Sequence, residues 1–249
     1  MVSLNTLVDY CNHLLEAERF RDYAPNGLQV QGRESVARII SGVTASRALI
    51  EQAIEMQADA VLVHHGYFWK GEDPCVTGMK RGRLALLLEH DISLLAYHLP
   101  LDAHPDLGNN AVLARELELT VDGPLNPEGI GLYGRLDRPV DASIFAERLR
   151  RVLLHEPLHI PGGPEQVRRI GWCTGAAQDY IEQAAALGLD AFISGEVSER
   201  TTHAARELGI HYYAAGHHAT ERGGVQALGA HLSGQFGLEH RFVDVPNPV

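Results

Sequence analysis

An α/β fold built from two similar units is what this sequence predicts, and three observations carry that expectation. The first is that the chain aligns with itself. IISGVTASRALIEQAIEMQADAVLVHHG (39–66) lies over IGWCTGAAQDYIEQAAALGLDAFISGE (170–196), sharing a Thr near the start, IEQA, and an Asp-Ala ahead of an apolar run. Further on, DISLLAYHLPLD (91–102) resembles GIHYYAAGHHATE (209–221), and the His98 to Asp102 spacing equals that of His217 to Glu221. The second is the grammar within each copy, in which apolar strands alternate with amphipathic helices. The third is that runs such as AVLV (60–63) and FIS (192–194) show no polar alternation. They read as strands buried on both faces, as in helix-covered parallel or mixed sheets, so each unit is expected to be a layered sandwich.

Taken in order, Leu4, Leu7, Val8, Cys11, Leu14 and Leu15 share one helical stripe, and Asp22 to Gly27, with Pro25-Asn26-Gly27, breaks the chain into a turn. The first copy then reads as strand Arg38–Val43, helix Ala45–Gln57, strand Ala60–Val63, helix Lys80–His90, strand Ile92–Tyr97 and helix Asn109–Leu117. Between the copies, Gly123 to Gly131 and Pro157 to Pro164 read as Pro/Gly-rich loops. They flank a helix starting near Asp141 that buries Ile144, Phe145, Leu149 and Val152. The second copy reads as Arg168–Cys173, Gln178–Leu187, Ala191–Ser194, Ser198–Leu208, Ile210–Ala215 and Arg222–Ser233. A division into 1–125 and 126–249 follows, with the C-terminal segment free to pack onto the first unit.

Composition narrows the function. With 249 residues and 45% apolar content the chain can bury a large core, and no apolar run is long enough for a membrane span. The N-terminal stretch has no cationic leader and carries Asp9 inside its apolar spacing, so the expected address is the cytoplasm. A net charge of −11 repels phosphate backbones and disfavours nucleic acid as a partner. The three cysteines, Cys11, Cys75 and Cys173, never form CxxC, which argues against disulfides and thiolate metal sites. Any metal would be held by nitrogen and oxygen, and fourteen histidines make their placement the question.

Three clusters answer it. His64-His65 ends an apolar strand, where open α/β sheets place their ligand sites. Two adjacent imidazoles there can diverge toward two centres, although a pair of surface histidines would look the same alone. His98-Leu99-Pro100-Leu101-Asp102 also follows an apolar strand, and Pro100 is expected to prevent a regular helix, so that His98 and Asp102 converge by loop geometry. Asp102 offers oxygen ligands. His98 is a ligand, a partner that orients a ligand, or a proton carrier, and His104 looks peripheral. In GHHATERGG (216–224) a helix is expected to start near Thr220, with Glu221 at its N-terminus beside His217. The duplicated spacing aligns His217 with His98 and Glu221 with Asp102, leaving His218 as the non-ligating neighbour.

Three imidazoles and two carboxylates cannot saturate two ions without a bridging carboxylate and water, and open positions mean reactivity. Water shared by two divalent ions is acidified toward neutral pH and becomes a nucleophile, which points to hydrolysis. Zinc, manganese, iron and nickel all suit such donors. Glu196, which with Gly195 replaces the histidine pair in the second copy, is either a solvated loop residue or a general base or substrate contact. Thr44 is expected to cap the following helix.

Together, DYAPNGLQV (22–30), GVTAS (42–46), VHHGYFWKG (63–71), HLPLDAHPDLGNN (98–110) and GHHATERGG (216–224) closely resemble the YbgI-like dinuclear metal-centre hexamer family, whose members are also called type 2 homologues of GTP cyclohydrolase I. The resemblance spans nearly the whole chain. It implies intertwined α/β domains, a toroidal homohexamer, and two metals on His64, His65, Asp102, His217 and Glu221, with Glu221 bridging. Longer relatives carry a domain inserted between the halves, for which this middle segment is too short. The expected function is a metal-dependent hydrolase acting on a small C–N or phosphate-containing substrate, with His98 or Glu196 moving protons. The rivals are a metal-binding regulatory or scaffold hexamer without catalysis and, against the charge, a DNA-repair factor.

Overall fold

The computed structural model describes residues 1–249. They sort into two compact units that are discontinuous in sequence: Met1–Leu107 with Gly224–Pro246, and Gly108–Gly223 with Asn247–Val249. The helix from Asn109, read with the first copy in the sequence, thus clusters with the second unit. No helix is long and apolar enough to cross a membrane.

The first stretch contains β1 (Val2–Ser3), α1 (Leu4–Leu14), β2 (Gly27–Val30), β3 (Ser35–Val36), β4 (Arg38–Thr44) and α2 (Arg47–Glu55). It continues with β5 (Ala60–His65), α3 (Gly78–Glu89), β6 (Ser93–Ala96) and α4 (Leu99–Ala103). The middle stretch begins with α5 (Asn109–Glu116), β7 (Thr120–Pro124), β8 (Leu132–Asp141), α6 (Ala142–Leu153), β9 (Leu158–Ile160) and β10 (Gln166–Cys173). After α7 (Ile181–Ala186), β11 (Ala191–Ser194), α8 (Glu199–Leu208), β12 (His211–Ala214) and α9 (His217–Thr220), the chain enters α10 (Arg222–Phe236) and ends on β13 (Glu239–Phe242). Two helix starts of the first unit carry side-chain caps: Ser3 accepts from the Thr6 amide, and Ser46 accepts from the Leu49 amide at 3.2 Å.

In the first unit the sheet order is β13-β4-β5-β6-β2, parallel except for β2, which runs antiparallel to β6. Strand alternation divides its side chains between two layers of helices. Ile39, Ala60, Leu62 and Leu95 pack with Leu4 and Leu7 of α1 and Val225 and Leu228 of α10. Ile40, Val61, Val63 and Leu94 pack with Leu49 and Ile50 of α2 and Leu84 and Leu87 of α3. Full burial of each Val, Leu or Ile side chain among them contributes about 1.5–3 kcal/mol.

The second unit repeats the plan in a sheet ordered β7-β8-β10-β11-β12-β9, with β10, β11 and β12 parallel. Ile170, Trp172 and Ile193 face Leu113 next to Phe145 and Leu149 of α6, while Phe192 and Tyr212 face Ile181 of α7 and Ala205 of α8. Both units are therefore three-layer α/β sandwiches on mixed sheets. Two departures from the sequence reading concern the edges. The Pro157 to Pro164 segment contains β9, paired antiparallel to β12 through Tyr212 and Ile160, and β8 is a ten-residue strand paired with β10. All three cysteines are free thiols, Cys11 and Cys173 buried and Cys75 exposed. Burial pushes the Cys11 thiol up to about 12.

Candidate metal centre

In the first unit β5 and β6 deliver four donors. His64 is fully buried, and its Nδ1 lies 2.9 Å from the Tyr97 carbonyl oxygen. A carbonyl can only accept, so Nδ1 carries the proton and Nε2 keeps its lone pair. That Nε2 lies 3.5 Å from Oδ1 of Asp102. This is too long for a hydrogen bond but close to the roughly 3.4 Å edge between two donors sharing a tetrahedral ion at about 2.1 Å. His65 Nδ1 meets Thr44 Oγ1 at 3.2 Å, so Thr44 orients an imidazole, and the α2 cap falls to Ser46 instead. His64, His65 and His98 each offer a nitrogen within 4.8 Å of the others.

His98 and Asp102 converge through a helical turn rather than a loop. The Leu101 and Asp102 amides both donate to the His98 carbonyl, at 2.9 and 3.1 Å, and Pro100 sits in the first turn of α4. A first-turn amide has no intrahelical acceptor, so proline costs nothing there. Asp102 is buried as a result. The peripheral His104 closes the next turn, its Nδ1 accepting from the Asp106 and Leu107 amides.

One residue in contact with this cluster was not singled out in the sequence. Asp22, its side chain 3% exposed, accepts from His98 Nδ1 at 2.7 Å and from the Tyr23 amide at 2.6 Å through Oδ1. Through Oδ2 it accepts from Asn26 Nδ2 at 2.8 Å and the Leu99 amide at 2.9 Å. Burial would raise its pKa, but the His98 hydrogen bond and charge, with the Asn26 and Tyr23 donors, outweigh that and hold it at about 2. The only sequence signal was an Asp heading a Pro-Asn-Gly turn, and its partner lies 76 positions away.

In the second unit His217 is held between two carboxylates, with Nδ1 2.7 Å from Glu196 Oε1 and Nε2 3.1 Å from Glu221 Oε2. Burial would lower the His217 pKa, but the hydrogen bonds and charges of Glu221 and Glu196 prevail and raise it to about 9. Glu196 is thus engaged with an imidazole rather than left in solvent. The helix begins at His217, earlier than expected, and the buried Glu221 sits at the junction of α9 and α10.

The loop after β10 is shaped around this pair. Gly175 has φ +69, and a Cβ there would lie 2.2 Å from Glu221 Oε1 and 3.2 Å from His217 Nε2. Only glycine leaves that space open. Each unit therefore presents nitrogen and oxygen donors suited to a divalent metal, with no thiolate among them.

A family model described as Duf34/NIF3 (NGG1p interacting factor 3) matches residues 2–248. The chain is 59% identical over 251 residues to a Pseudomonas aeruginosa protein named GTP cyclohydrolase 1 type 2 homolog, covering 100% of this chain and 99% of that one. An Escherichia coli protein of the same name is 54% identical, with 96% of each chain covered. Among solved structures, protein ybgI, described as of unknown function, superposes with a TM-score of 0.97 at 52% identity over the whole of both chains. A Thermus thermophilus protein gives 0.88 at 35%, again over the whole of both chains. The extent of these matches shows that the chain belongs to the Duf34/NIF3 family.

Proposed function

We propose that the donors of the two units act together as one dinuclear centre, on His64, His65, Asp102, His217 and Glu221, in a metal-dependent hydrolase acting on a small C–N or phosphate-containing substrate. The observation that carries this reading is shared by four imidazoles. In His64, His65, His98 and His217 alike, Nδ1 is engaged, by Tyr97, Thr44, Asp22 and Glu196 respectively, so that Nε2 is presented. Outer partners of this kind fix the tautomer and raise the basicity of metal-ligating histidines.

Two divalent ions would supply a water acidified toward neutral pH and a positive charge to polarise the bond under attack. The residues of the chain do the rest. Asp102 and Glu221 would hold the ions through oxygen and bring negative charge that offsets them. His98, with Nδ1 fixed on Asp22, can pass a proton at Nε2, and Glu196, whose side chain is 35% exposed, can exchange one with solvent. Zinc, manganese, iron and nickel all fit such donors. Assembly into a toroidal homohexamer and a cytoplasmic location belong to the same reading.

Elemental analysis of metal-supplemented protein, coupled to a hydrolysis screen that includes GTP with and without chelator, tests it. About two ions per chain and a chelator-sensitive turnover are expected. Well under one ion per chain would overturn the metal centre. Full loading without turnover on any candidate would leave a metal-holding scaffold in place of the enzyme.

A further inference from the structure

Beyond the metal donors, two large aromatic rings that the hydrophobic core does not use lie beside the first unit's histidine cluster. Trp69 is half-buried and Tyr23 is 62% exposed, and neither belongs to a core cluster, in contrast to Trp172, which is fully enclosed. Trp69 is nonetheless held firmly. Its indole Nε1 donates to the Gly66 carbonyl at 3.2 Å, and its amide donates to Glu72 Oε2 at 3.1 Å. The preceding Phe68 has φ +64, a region that bulky L-residues rarely enter and that tends to be retained where function requires it. That turn brings the Trp69 ring back to 5.9 Å from His65 and 5.1 Å from His98, nearly perpendicular to the latter.

Tyr23 approaches the same imidazole from another loop, with ring centroids 6.4 Å apart at 66°. The Lys70 amide donates to its carbonyl at 2.6 Å and ties the two loops together. The indole N–H is already satisfied within its own loop, so what Trp69 has left to offer is the face of a ring. The Trp69 ring, held by its indole hydrogen bond, and the Tyr23 ring, on the loop tied to it, lie outside the core beside His98, where their faces can stack on something flat.

We propose that Trp69 and Tyr23 form a stacking subsite for a planar heteroaromatic ring, placing that ring beside His65 and His98. This deepens the metal-centre reading, on which it rests for the identity of the ring as part of the substrate. The physical basis is that a flat ring gains contact area and quadrupole attraction on an aromatic face without demanding particular hydrogen bonds.

The test uses the full chain, metal-supplemented, with guanosine and adenosine 5′-monophosphates as flat-ring probes and ribose 5-phosphate as the ringless control. Calorimetry should show saturable binding of at least one nucleotide and markedly weaker binding of the control. Trp69→Leu should weaken nucleotide binding roughly tenfold or more and remove the accompanying fluorescence quench, Tyr23→Ala should weaken it less, and Trp69→Phe should restore part of it. Metal content should be the same in all variants, because Thr44 and Asp22 hold His65 and His98 independently of the lip. Absence of nucleotide binding by the metal-loaded wild type, or equal affinity in wild type and Trp69→Leu, would overturn the subsite. A wild type that takes up no metal would instead overturn the metal-centre reading, and the nucleotide titration would still decide the subsite.

Discussion

The two units share a frame and differ in what stands at its carboxyl edge. In the first, β5 ends in His64-His65; in the second, β11 is followed by Gly195-Glu196. After the next parallel strand both copies place a histidine and, four residues on, a carboxylate: His98 with Asp102, and His217 with Glu221. Duplication thus preserved the positions and divided the chemistry. The first unit is rich in nitrogen donors, each pinned at Nδ1, while the second surrounds one imidazole with two carboxylates that pull its pKa to about 9. The orienting carboxylates differ as well: Asp22 is 3% exposed and saturated with hydrogen bonds, Glu196 is 35% exposed.

That difference yields the largest expected effect. Asp22→Asn keeps the shape of the side chain but loses the charge that fixes His98, and should reduce metal affinity or turnover by about 10–100-fold with the fold intact. Glu196→Gln, beside a more solvated pair, should cost less; titration of both variants with a chelator-buffered metal gives the order. Asp22 also marks the acid limb of stability. Its pKa is depressed in the fold from 3.8 to about 2, so its contribution is complete above 3.8 and lost as pH falls through about 2. Denaturant melts of the metal-free variants should therefore show a shallower decline for Asp22→Asn across that window. Equal metal affinity together with equal turnover in Asp22→Asn and wild type would remove the orienting role.

A second contrast sits one strand away. Thr44, the last residue of the first unit's glycine-containing strand β4, is followed by Ala45, and Thr174-Gly175, just past β10, is their counterpart. Ala45 carries its methyl group in a buried position, whereas a methyl at Gly175 would occupy the space of the Glu221 carboxylate and meet an unfavourable φ. Gly175→Ala should lower stability by about 1–2 kcal/mol and displace Glu221, reducing metal uptake in proportion. Thermal melts with and without metal would separate the two. An unchanged melt and unchanged uptake would mean the loop yields more easily than its glycine suggests.

Much of this was legible in the sequence because buried parallel strands are continuous apolar runs; Ala191–Ser194 was read with its observed limits, and Ala60–Val63 only fell short of the two histidines. The flanking strands were not legible for the opposite reason. β8 exposes Arg135, Asp137 and Arg138, and β9 is three residues inside a Pro/Gly-rich stretch, so neither has a periodic signal that outweighs its turn residues. The first unit's donors could be proposed because each follows an apolar strand. Asp22 could not, since nothing local distinguishes a carboxylate that closes its own turn from one that also reaches an imidazole far along the chain. The α4 turn was misread because proline was taken as a breaker, when its place in the first turn made it compatible with a helix.

The antiparallel edges give the smallest expected effect and a direct comparison. In the first unit β2 meets β6 through pairs such as Leu28 and Leu95, which do not titrate near neutral pH. In the second, β9 meets β12 beside a histidine pair: His211 Nε2 donates to the Pro164 carbonyl at 2.7 Å, leaving its Nδ1 to accept from His159 Nε2 at 3.1 Å. His159 stacks on Tyr213 at 4.5 Å, and burial, then the neighbouring His211, lower its pKa. A histidine whose folded pKa lies below its unfolded value of 6.5 favours the neutral form. Its stabilisation is complete above that value and is lost as pH falls toward the lowered one. Hydrogen exchange, corrected for intrinsic rates and compared between about pH 7.5 and about pH 5.5, should show the β9–β12 amides losing protection while the β2–β6 amides hold theirs. His159→Gln should abolish the difference between the two edges. Equal loss at both would place the acid sensitivity elsewhere in the fold and leave the histidine pair with a purely packing role.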